Sequence, residues 1–323
     1  MNWKNSCILG LALLLIVACG DDDEEIGEVI PPRLLSEVAV ENDEEIRTFL
    51  STHFYNYEEF ANPPADFDYN IVINTISGDN ASKTPLIDQV LERKVIVSSS
   101  EFLLDSEESV EHTYYYLEAR KGEGVKPTAA DSTFVNYEGS LLSGAVFDNI
   151  ATGTWWDNAS FQFPGLGSQR GFRGVGEGVT NTAGGITIID NPNGTFDVEG
   201  FGVGMIIFPS GLGTFNGSRG AIPAYSPLIF KYQVLTTIQN TDHDNDGIPS
   251  VSEDFDKDGL FYNDNADVDS EVPNGRFPDY LDPDDDNDGI LTIDEIELDA
   301  DGNFVGFLDT DDDDIPDHLD SDS

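Results

Sequence analysis

The feature that most restricts the fold of this chain is an acidic spacing that recurs in its last quarter. The stretch DHDNDGIPSVSE places carboxylates at Asp242, Asp244 and Asp246, a glycine next, and Glu253 at the end. Alternating carboxylates on a tightly curling loop converge on one point, and the glycine permits the sharp turn. The last carboxylate can then close the shell with two oxygens. The pattern predicts a loop that wraps a cation.

The same spacing returns twice before the end of the chain. DDDNDGILTIDE and DTDDDDIPDHLD place the next carboxylates at Asp284, Asp286, Asp288 and Glu295, and then at Asp309, Asp311, Asp313 and Asp320. In the third copy Asp314 replaces the glycine. Oxygen ligands without Cys or His favour Ca²⁺ over Zn²⁺. The alternative is a solvated acidic tail.

The segments between these loops are too short and too rich in Pro and Asp for the flanking helices of a helix–loop–helix hand. Their layout resembles thrombospondin type 3 calcium repeats, in which one loop passes its last ligand to the next. The resemblance implies a loop-rich tail over residues 239–323 that holds structural Ca²⁺ and compacts when the ion binds.

The charge of the chain is extreme and uneven. Its formal net charge is −48, and the segment from Asp242 onward carries 30 of the 63 acidic residues but only two of the 15 basic ones. Such a charge excludes nucleic acid as a partner and favours cations or a strongly hydrated surface. With 39% hydrophobic residues in 323, the chain can still build a core and two or three domains.

The first residues predict export. MNWKNSCILGLALLLIVAC has Lys4, an apolar run from Cys7 to Ala18 that is short for a membrane span, and then Cys19. One interpretation is an ordinary secretory signal cleaved near Ala18. However, IVAC resembles the lipobox of bacterial lipoproteins, which implies a signal peptide over 1–18 and lipidation of Cys19. We therefore expect a bacterial outer membrane lipoprotein, facing the periplasm or the cell surface, with an acidic tether over 19–42.

Residues 43–115 predict an α/β extension. DEEIRTFLSTHFYNYEEF has apolar residues at helical spacing, and Asp43 to Glu45 are suited to a helix start. DYNIVINTI, RKVIVSS and TYYYLEARKGEG have the composition of strands.

Five blocks then follow in a recognisable order: VNYEGSLLSGAVFDN, FQF, GFRGVGEGV, FPSGL and IPAYSPLIFKYQV. Their order and spacing resemble those of FKBP-type peptidyl-prolyl isomerases, over roughly Tyr114 to Ile238. The resemblance implies an α+β domain at 116–238, in which a twisted antiparallel sheet wraps around one short helix with an apolar pocket between them. We expect one turn at Gly139, a second at Ser143–Gly144, and an inserted hairpin around Asn193–Gly194.

The same resemblance assigns the pocket. The tyrosine, phenylalanine and aspartate of the family's pocket correspond to Tyr137, Phe147 and Asp148. Its further walls correspond to Phe161, Phe172, Ile222 and Phe230. Two positions depart from the family pattern: Val175 stands where a tryptophan is usual, and the tyrosine of a later loop becomes Thr214 or Phe215.

The resemblance implies isomerisation of X-Pro bonds in exported polypeptides. This chemistry needs no cofactor, because an apolar pocket that excludes water favours the twisted amide over the planar one. Two alternatives remain open at this point. The altered pocket could bind proline-containing segments without turnover, or the calcium repeats could be the main functional part of a surface protein.

Overall fold

The structure is a computed structural model that describes residues 31–104, 108–164, 171–267 and 277–322. The predicted signal peptide and Cys19 lie outside these ranges. None of the described helices combines the length and apolar character needed to cross a membrane.

The chain forms a mixed structure of helices and antiparallel sheets. The helices among the described residues are α1 Leu35–Thr52, α2 Tyr57–Ala61 and α3 Arg173–Val179. Its strands are β1 His53–Tyr55, β2 Ile73–Thr75, β3 Leu91–Ser98, β4 Ser109–Arg120, β5 Ser132–Leu141, β6 Val146–Asp157, β7 Thr187–Asp190, β8 Phe196–Glu199, β9 Gly202–Phe208, β10 Leu228–Ile238, β11 Ile296–Leu298 and β12 Phe304–Phe307. Short 3₁₀ turns connect many of these elements.

Six strands form one antiparallel sheet in the order β3-β4-β9-β10-β5-β6. The predicted boundary at residue 115 falls inside β4, which pairs with β3 on one side and β9 on the other. The predicted extension and the predicted isomerase domain therefore share a sheet, and residue 115 is not a structural boundary.

Alternation along the strands gives the sheet two apolar faces. Ile206 and Phe208 of β9 face the cluster that contains Val175 and Val179 of α3, whereas Met205 and Ile207 face a second cluster. The members of that second cluster from the N-terminal part are Ile46, Phe49, Leu50, Tyr55, Ile71 and Leu86. Each such buried side chain contributes about 1.5–3 kcal/mol. Residues 46–86 thus cover the sheet face opposite α3.

Helix α1 begins at Leu35, so the prediction of a tether through residue 42 is wrong for residues 35–42. Leu35 and Val38 are buried, and Asn42 is 3% exposed. The side-chain oxygen of Asn42 accepts hydrogen bonds from the backbone N–H and hydroxyl of Ser210, and its amide donates to Tyr225. The Glu108 carboxylate accepts from the Leu35 N–H at 3.1 Å, which satisfies a free donor at the helix start. Such distant partners are not visible in the local sequence.

The turn expected at Gly139 is also wrong, because β5 runs through this residue. A Cβ at Gly139 would lie 2.6 Å from the Phe147 ring, so glycine allows that ring to lie against the strand. The turn at Ser143–Gly144 is confirmed by the left-handed φ of Gly144, +83°. The hairpin around Asn193–Gly194 is confirmed by the pairing of β7 with β8.

The described residues of the acidic segment after residue 239 are folded and belong to the same compact unit as the sheet, Arg33–Ser323. It consists of acidic loops, 3₁₀ turns such as Ser250–Ser252 and Asp279–Leu281, and the β11–β12 hairpin. No α-helix flanks its loops in the ranges that the structure describes.

Candidate functional site

Aromatic rings gather around Phe230 on the α3 side of the sheet. Phe147 and Phe172 each place a ring centroid 5.6 Å from that of Phe230, and Tyr137 lies at 6.2 Å. Phe230 is 3% exposed, while the other three rings are only partly buried. The result is an apolar floor with a more accessible aromatic wall.

Tyr137 and Asp148 form the polar edge of this pocket. The Tyr137 hydroxyl donates a hydrogen bond to a carboxylate oxygen of Asp148, at 2.8 Å, across the paired strands β5 and β6. Burial, this hydrogen bond and the negative charge of Asp148 raise the pKa of Tyr137, so the phenol stays protonated and can donate. The Arg219 guanidinium lies 4.7 Å from the Phe172 ring centroid, and its charge opposes the rise in the Tyr137 pKa. Both charges therefore lie near the pocket mouth.

Trp156 is a pocket residue that the sequence did not single out. Its ring centroid lies 4.9 Å from that of Tyr137 and 5.2 Å from that of Phe161, so it packs between them. Val175 of α3 is fully buried in the core cluster that also contains Phe230. An indole is therefore present beside Tyr137 although Val175 replaces the usual tryptophan. The sequence did contain a signal for Trp156. Successive side chains of a strand point to opposite faces, so one of the adjacent Trp155 and Trp156 was bound to face the pocket side of β6. In the structure Trp155 is 51% exposed and Trp156 is not.

Phe215 and Ile222 are buried in the core cluster. The Phe215 ring packs against Phe102 at 4.7 Å and Tyr225 at 5.3 Å between centroids. Among the described ring pairs, none joins Phe215 to Tyr137, Phe147 or Phe230. The structure thus places Phe215 behind the pocket, where its phenyl ring supports the fold.

The short helix α3 is held by a buried ion pair. Arg173 is 7% exposed, and its guanidinium lies 3.0 Å from the Glu101 carboxylate in the 3₁₀ turn Ser99–Phe102. Glu177, one turn further along α3, also accepts a hydrogen bond from the Tyr114 hydroxyl of β4. Glu101 and Tyr114, which precede the predicted isomerase domain, therefore hold this helix in place through Arg173 and Glu177.

The acidic loops bring together most of the predicted ligands. Oxygens within 4.8 Å of one another come from three predicted sets, Asp242–Asp244–Asp246, Asp284–Asp286–Asp288 and Asp309–Asp311–Asp313, and from a further set, Asp254–Asp256–Asp258. Glu295 is 6% exposed. Burial is the largest cause that raises its pKa to about 7, and the charges of Asp286 and Asp288 add to the rise. Asp320 is 8% exposed. Burial raises the pKa values of Asp286 and Asp311, and the charge of Asp320 adds to both.

Glu253 has a partner that the loop pattern does not contain. Its carboxylate lies within 4.8 Å of those of Asp246 and Asp285, and Asp285 belongs to the second loop. Sequence spacing missed Asp285, because it occupies an even position of its own loop and joins the first only through the fold.

This cluster has the properties of a cation site. Glu253 is 0% exposed and Asp285 1%, and none of their four carboxylate oxygens has a hydrogen-bond partner among the described residues. Burial and neighbouring negative charges raise the pKa of Glu253 to about 11 and that of Asp285 to about 10. Buried carboxylates are costly unless a positive charge compensates them. A donor set of carboxylate oxygens alone suits a hard divalent cation such as Ca²⁺.

A cleft of about 790 Å³ opens elsewhere, between the segment 68–75 and side chains of β5 and β10 that include Asn136, Glu138 and Lys231. Lys231 and Glu138 form an ion pair within it. Of the aromatic pocket residues that the structure describes, Tyr137 alone also lines this cleft. The sequence did not predict the cleft.

Comparisons with known proteins find similarity in solved structures alone. No protein-family model matches the chain, and no curated protein matches it. Matching structures include a peptidyl-prolyl cis-trans isomerase from Pseudomonas syringae pv. tomato, at 20% identity and a TM-score of 0.30, over 39% of this chain and 76% of that one. FkpA from Escherichia coli matches at 20% identity and a TM-score of 0.31, over 62% of this chain and 61% of that one. The three FKBP domains of wheat FKBP73 match at 14% identity and a TM-score of 0.29, over 40% and 46%. Similarities of this size do not assign an activity.

Proposed function

We propose that this chain is a peptidyl-prolyl cis-trans isomerase of the FKBP type, acting on X-Pro bonds of exported proteins. The observation that carries the proposal is the aromatic pocket around Phe230, whose mouth holds the Tyr137–Asp148 hydrogen bond. Four of the five sequence blocks that resemble the family supply Tyr137, Phe147, Asp148, Phe161, Phe172 and Phe230 of this pocket.

The reaction follows from what such a pocket does to an amide. Rotation about an X-Pro bond meets a barrier of about 18–20 kcal/mol, because resonance makes the C–N bond partly double. Phe147, Phe172 and Phe230 offer apolar surface that fits a proline ring and displaces water from the amide. Loss of that hydration favours the twisted state, in which the amide is less conjugated and less polar. The Tyr137 hydroxyl can orient a flanking carbonyl once it leaves Asp148.

A second candidate function is a binding module that holds proline-containing segments without accelerating rotation. The burial of Phe215 favours it, because the loop that carries a phenol in the family here directs a phenyl ring into the core. One donor that could stabilise the rotating amide is therefore not supplied from that loop.

A protease-free isomerisation assay on an X-Pro peptide tests the first function. The full chain should accelerate cis–trans exchange, and Phe147→Ala should remove most of the acceleration. Val146→Ala is the matched control, because Val146 precedes Phe147 in β6 and is 50% exposed. A background rate together with measurable peptide binding would establish the binding module instead.

We also propose that the tail binds structural Ca²⁺ through the loops that begin at Asp242, Asp284 and Asp309. The unpartnered oxygens of Glu253 and Glu295 support this proposal. Calcium titration of the cation-depleted chain should then reduce its hydrodynamic radius. An unchanged radius and an unchanged circular dichroism spectrum would contradict it. If calcium instead controls adhesion to a partner, chelation should abolish that adhesion and leave isomerisation intact.

Anchoring through Cys19 is a separate proposal, which rests on the IVAC sequence. Metabolic labelling with a fatty acid should modify the chain, and Cys19→Ser should remove the label and release the protein from the outer membrane fraction. Labelling that persists in Cys19→Ser would refute it.

A further inference from the structure

The acidic tail packs against the turn that carries one wall of the pocket. Residues Ala159–Gln162 form a 3₁₀ turn after β6, and Phe161 of this turn contacts Trp156. Phe261 and Tyr280 of the tail form a buried cluster with Ala159 and Ala130. The backbone N–H of Phe261 also donates to the Gln162 side chain at 3.2 Å.

A second contact reaches the same turn from the first acidic loop. His243 Nε2 lies 3.1 Å from an Asp157 carboxylate oxygen, and that oxygen also accepts the backbone N–H of Ala159 at 3.0 Å. The His243 ring packs edge-on against Tyr280, and its Nδ1 lies 2.9 Å from the Ser250 hydroxyl. The turn is thus held by one segment near Glu253 and another near Asp285.

These two segments meet at the buried carboxylates. Glu253 follows the 3₁₀ turn Ser250–Ser252, whose Val251 packs against the cluster of Phe261 and Tyr280. Asp285 follows the 3₁₀ turn Asp279–Leu281, which contains Tyr280. Ionising carboxylates within 4.8 Å of one another in a water-excluded region is costly, so without a counter-charge the contact between the two segments is destabilised. A divalent cation reverses the sign of that interaction.

We propose that a divalent cation, Ca²⁺ by its oxygen ligands, binds between Asp246, Glu253 and Asp285 and thereby fixes the Phe161 wall of the aromatic pocket. The cation joins the first and second acidic loops, and the joined loops press Phe261 and Tyr280 onto the turn Ala159–Gln162. Pocket geometry then depends on cation occupancy. This proposal depends on the proposed isomerase function in one respect only, the identity of the ligand that the pocket binds.

Tryptophan fluorescence reports on the wall without any activity measurement. The chain has three tryptophans, so replacing Trp3 and Trp155 by Phe leaves Trp156, which touches Phe161. After treatment with a chelator, Ca²⁺ titration of this full-length protein should shift the Trp156 emission in a saturable way. Mg²⁺ at the same concentration should shift it less, because its smaller shell demands closer octahedral geometry.

Asp285→Asn tests the shared ligand, with Asp301→Asn as a control that removes one charge from an exposed tail position. We expect Asp285→Asn to raise the Ca²⁺ concentration at the midpoint at least tenfold, and Asp301→Asn to leave it unchanged. In chelator, Asp285→Asn should melt no lower than the wild type, because it removes one of three buried carboxylates that then have no counter-charge. This second measurement separates loss of the site from loss of the fold. A midpoint like that of the wild type, or a melting temperature lowered in chelator, would overturn the shared site.

Phe261→Ala tests transmission to the pocket. This variant should still bind Ca²⁺, measured by calorimetry, yet lose most of the Trp156 shift. Ca²⁺ binding with an unchanged Trp156 shift would overturn the coupling, as would a wild-type protein that binds Ca²⁺ without any shift. If the shift and its variants behave as expected but no X-Pro peptide binds, the isomerase proposal fails and the cation-controlled wall stands.

Discussion

The hydroxyl of Tyr137 in β5 donates a 2.8 Å hydrogen bond to the carboxylate of Asp148 in β6. The two residues are eleven positions apart in sequence, and strand pairing brings them to one pocket edge. Because burial and the neighbouring Asp148 raise the pKa of the phenol, Tyr137 remains a hydrogen-bond donor at physiological pH. This pair therefore sets the polarity of the pocket mouth.

Tyr137→Phe removes that donor and keeps the ring. We expect kcat/KM for an X-Pro peptide to fall about tenfold, because a hydrogen bond of this kind is worth about 1–1.5 kcal/mol. Tyr69→Phe is the control, since Tyr69 packs against Phe67 and Phe201 away from this pocket. Equal rates for the two variants would show that the Tyr137 hydroxyl takes no part.

Leu50→Ala tests whether the N-terminal segment stabilises the sheet. Leu50 is fully buried on the face opposite α3, so its truncation should lower the free energy of unfolding by about 2–5 kcal/mol. Val40→Ala, on the same helix but 62% exposed, should change it by less than about 0.5 kcal/mol. Denaturant unfolding followed by fluorescence measures both. A small effect of Leu50→Ala would mean that α1 docks only loosely.

The raised pKa values of the buried carboxylates predict how the stability of the cation-free protein changes with pH. The folded-state pKa values of Glu253 and Asp285, about 11 and about 10, lie far above their unfolded values near 4. The folded state therefore binds more protons, so its stability is fully present below about pH 4 and declines as the pH rises toward those folded values.

Thermal unfolding from pH 5 to pH 8 checks this sign. In chelator the melting temperature should fall as the pH rises. With Ca²⁺ it should hold or increase, because the ligands bind the cation in their deprotonated form. Parallel profiles with and without Ca²⁺ would argue against a cation at these residues.

Local sequence predicted the parts of the site whose position depends on the register of β5, β6 and β10 and on the start of α3. Tyr137, Phe147, Phe172 and Phe230 all meet on the α3 side of the sheet, as the motif blocks imply. Phe215 could not be placed, because it lies in a loop where a gap in the motif left two registers open. The start of α1 was missed because Asn42 is a polar residue whose partners, Ser210 and Tyr225, are distant in sequence.

Two other residues, Trp156 and Asp285, were not predicted from the sequence, for the same physical reason. Trp156 is identified by its contacts with Tyr137 and Phe161, and Asp285 by its proximity to Glu253. Spacing rules describe one loop or one strand at a time. They do not describe a ligand or a ring that a neighbouring element supplies.

The most direct test of the proposed activity is nuclear magnetic resonance exchange spectroscopy on a short X-Pro peptide. A catalytic amount of the full chain should produce exchange peaks between the cis and trans signals within about a second, whereas the uncatalysed process takes tens to hundreds of seconds. Phe147→Ala should abolish these peaks and Val146→Ala should retain them. Exchange that stays at the uncatalysed rate with the folded wild-type chain would contradict the account.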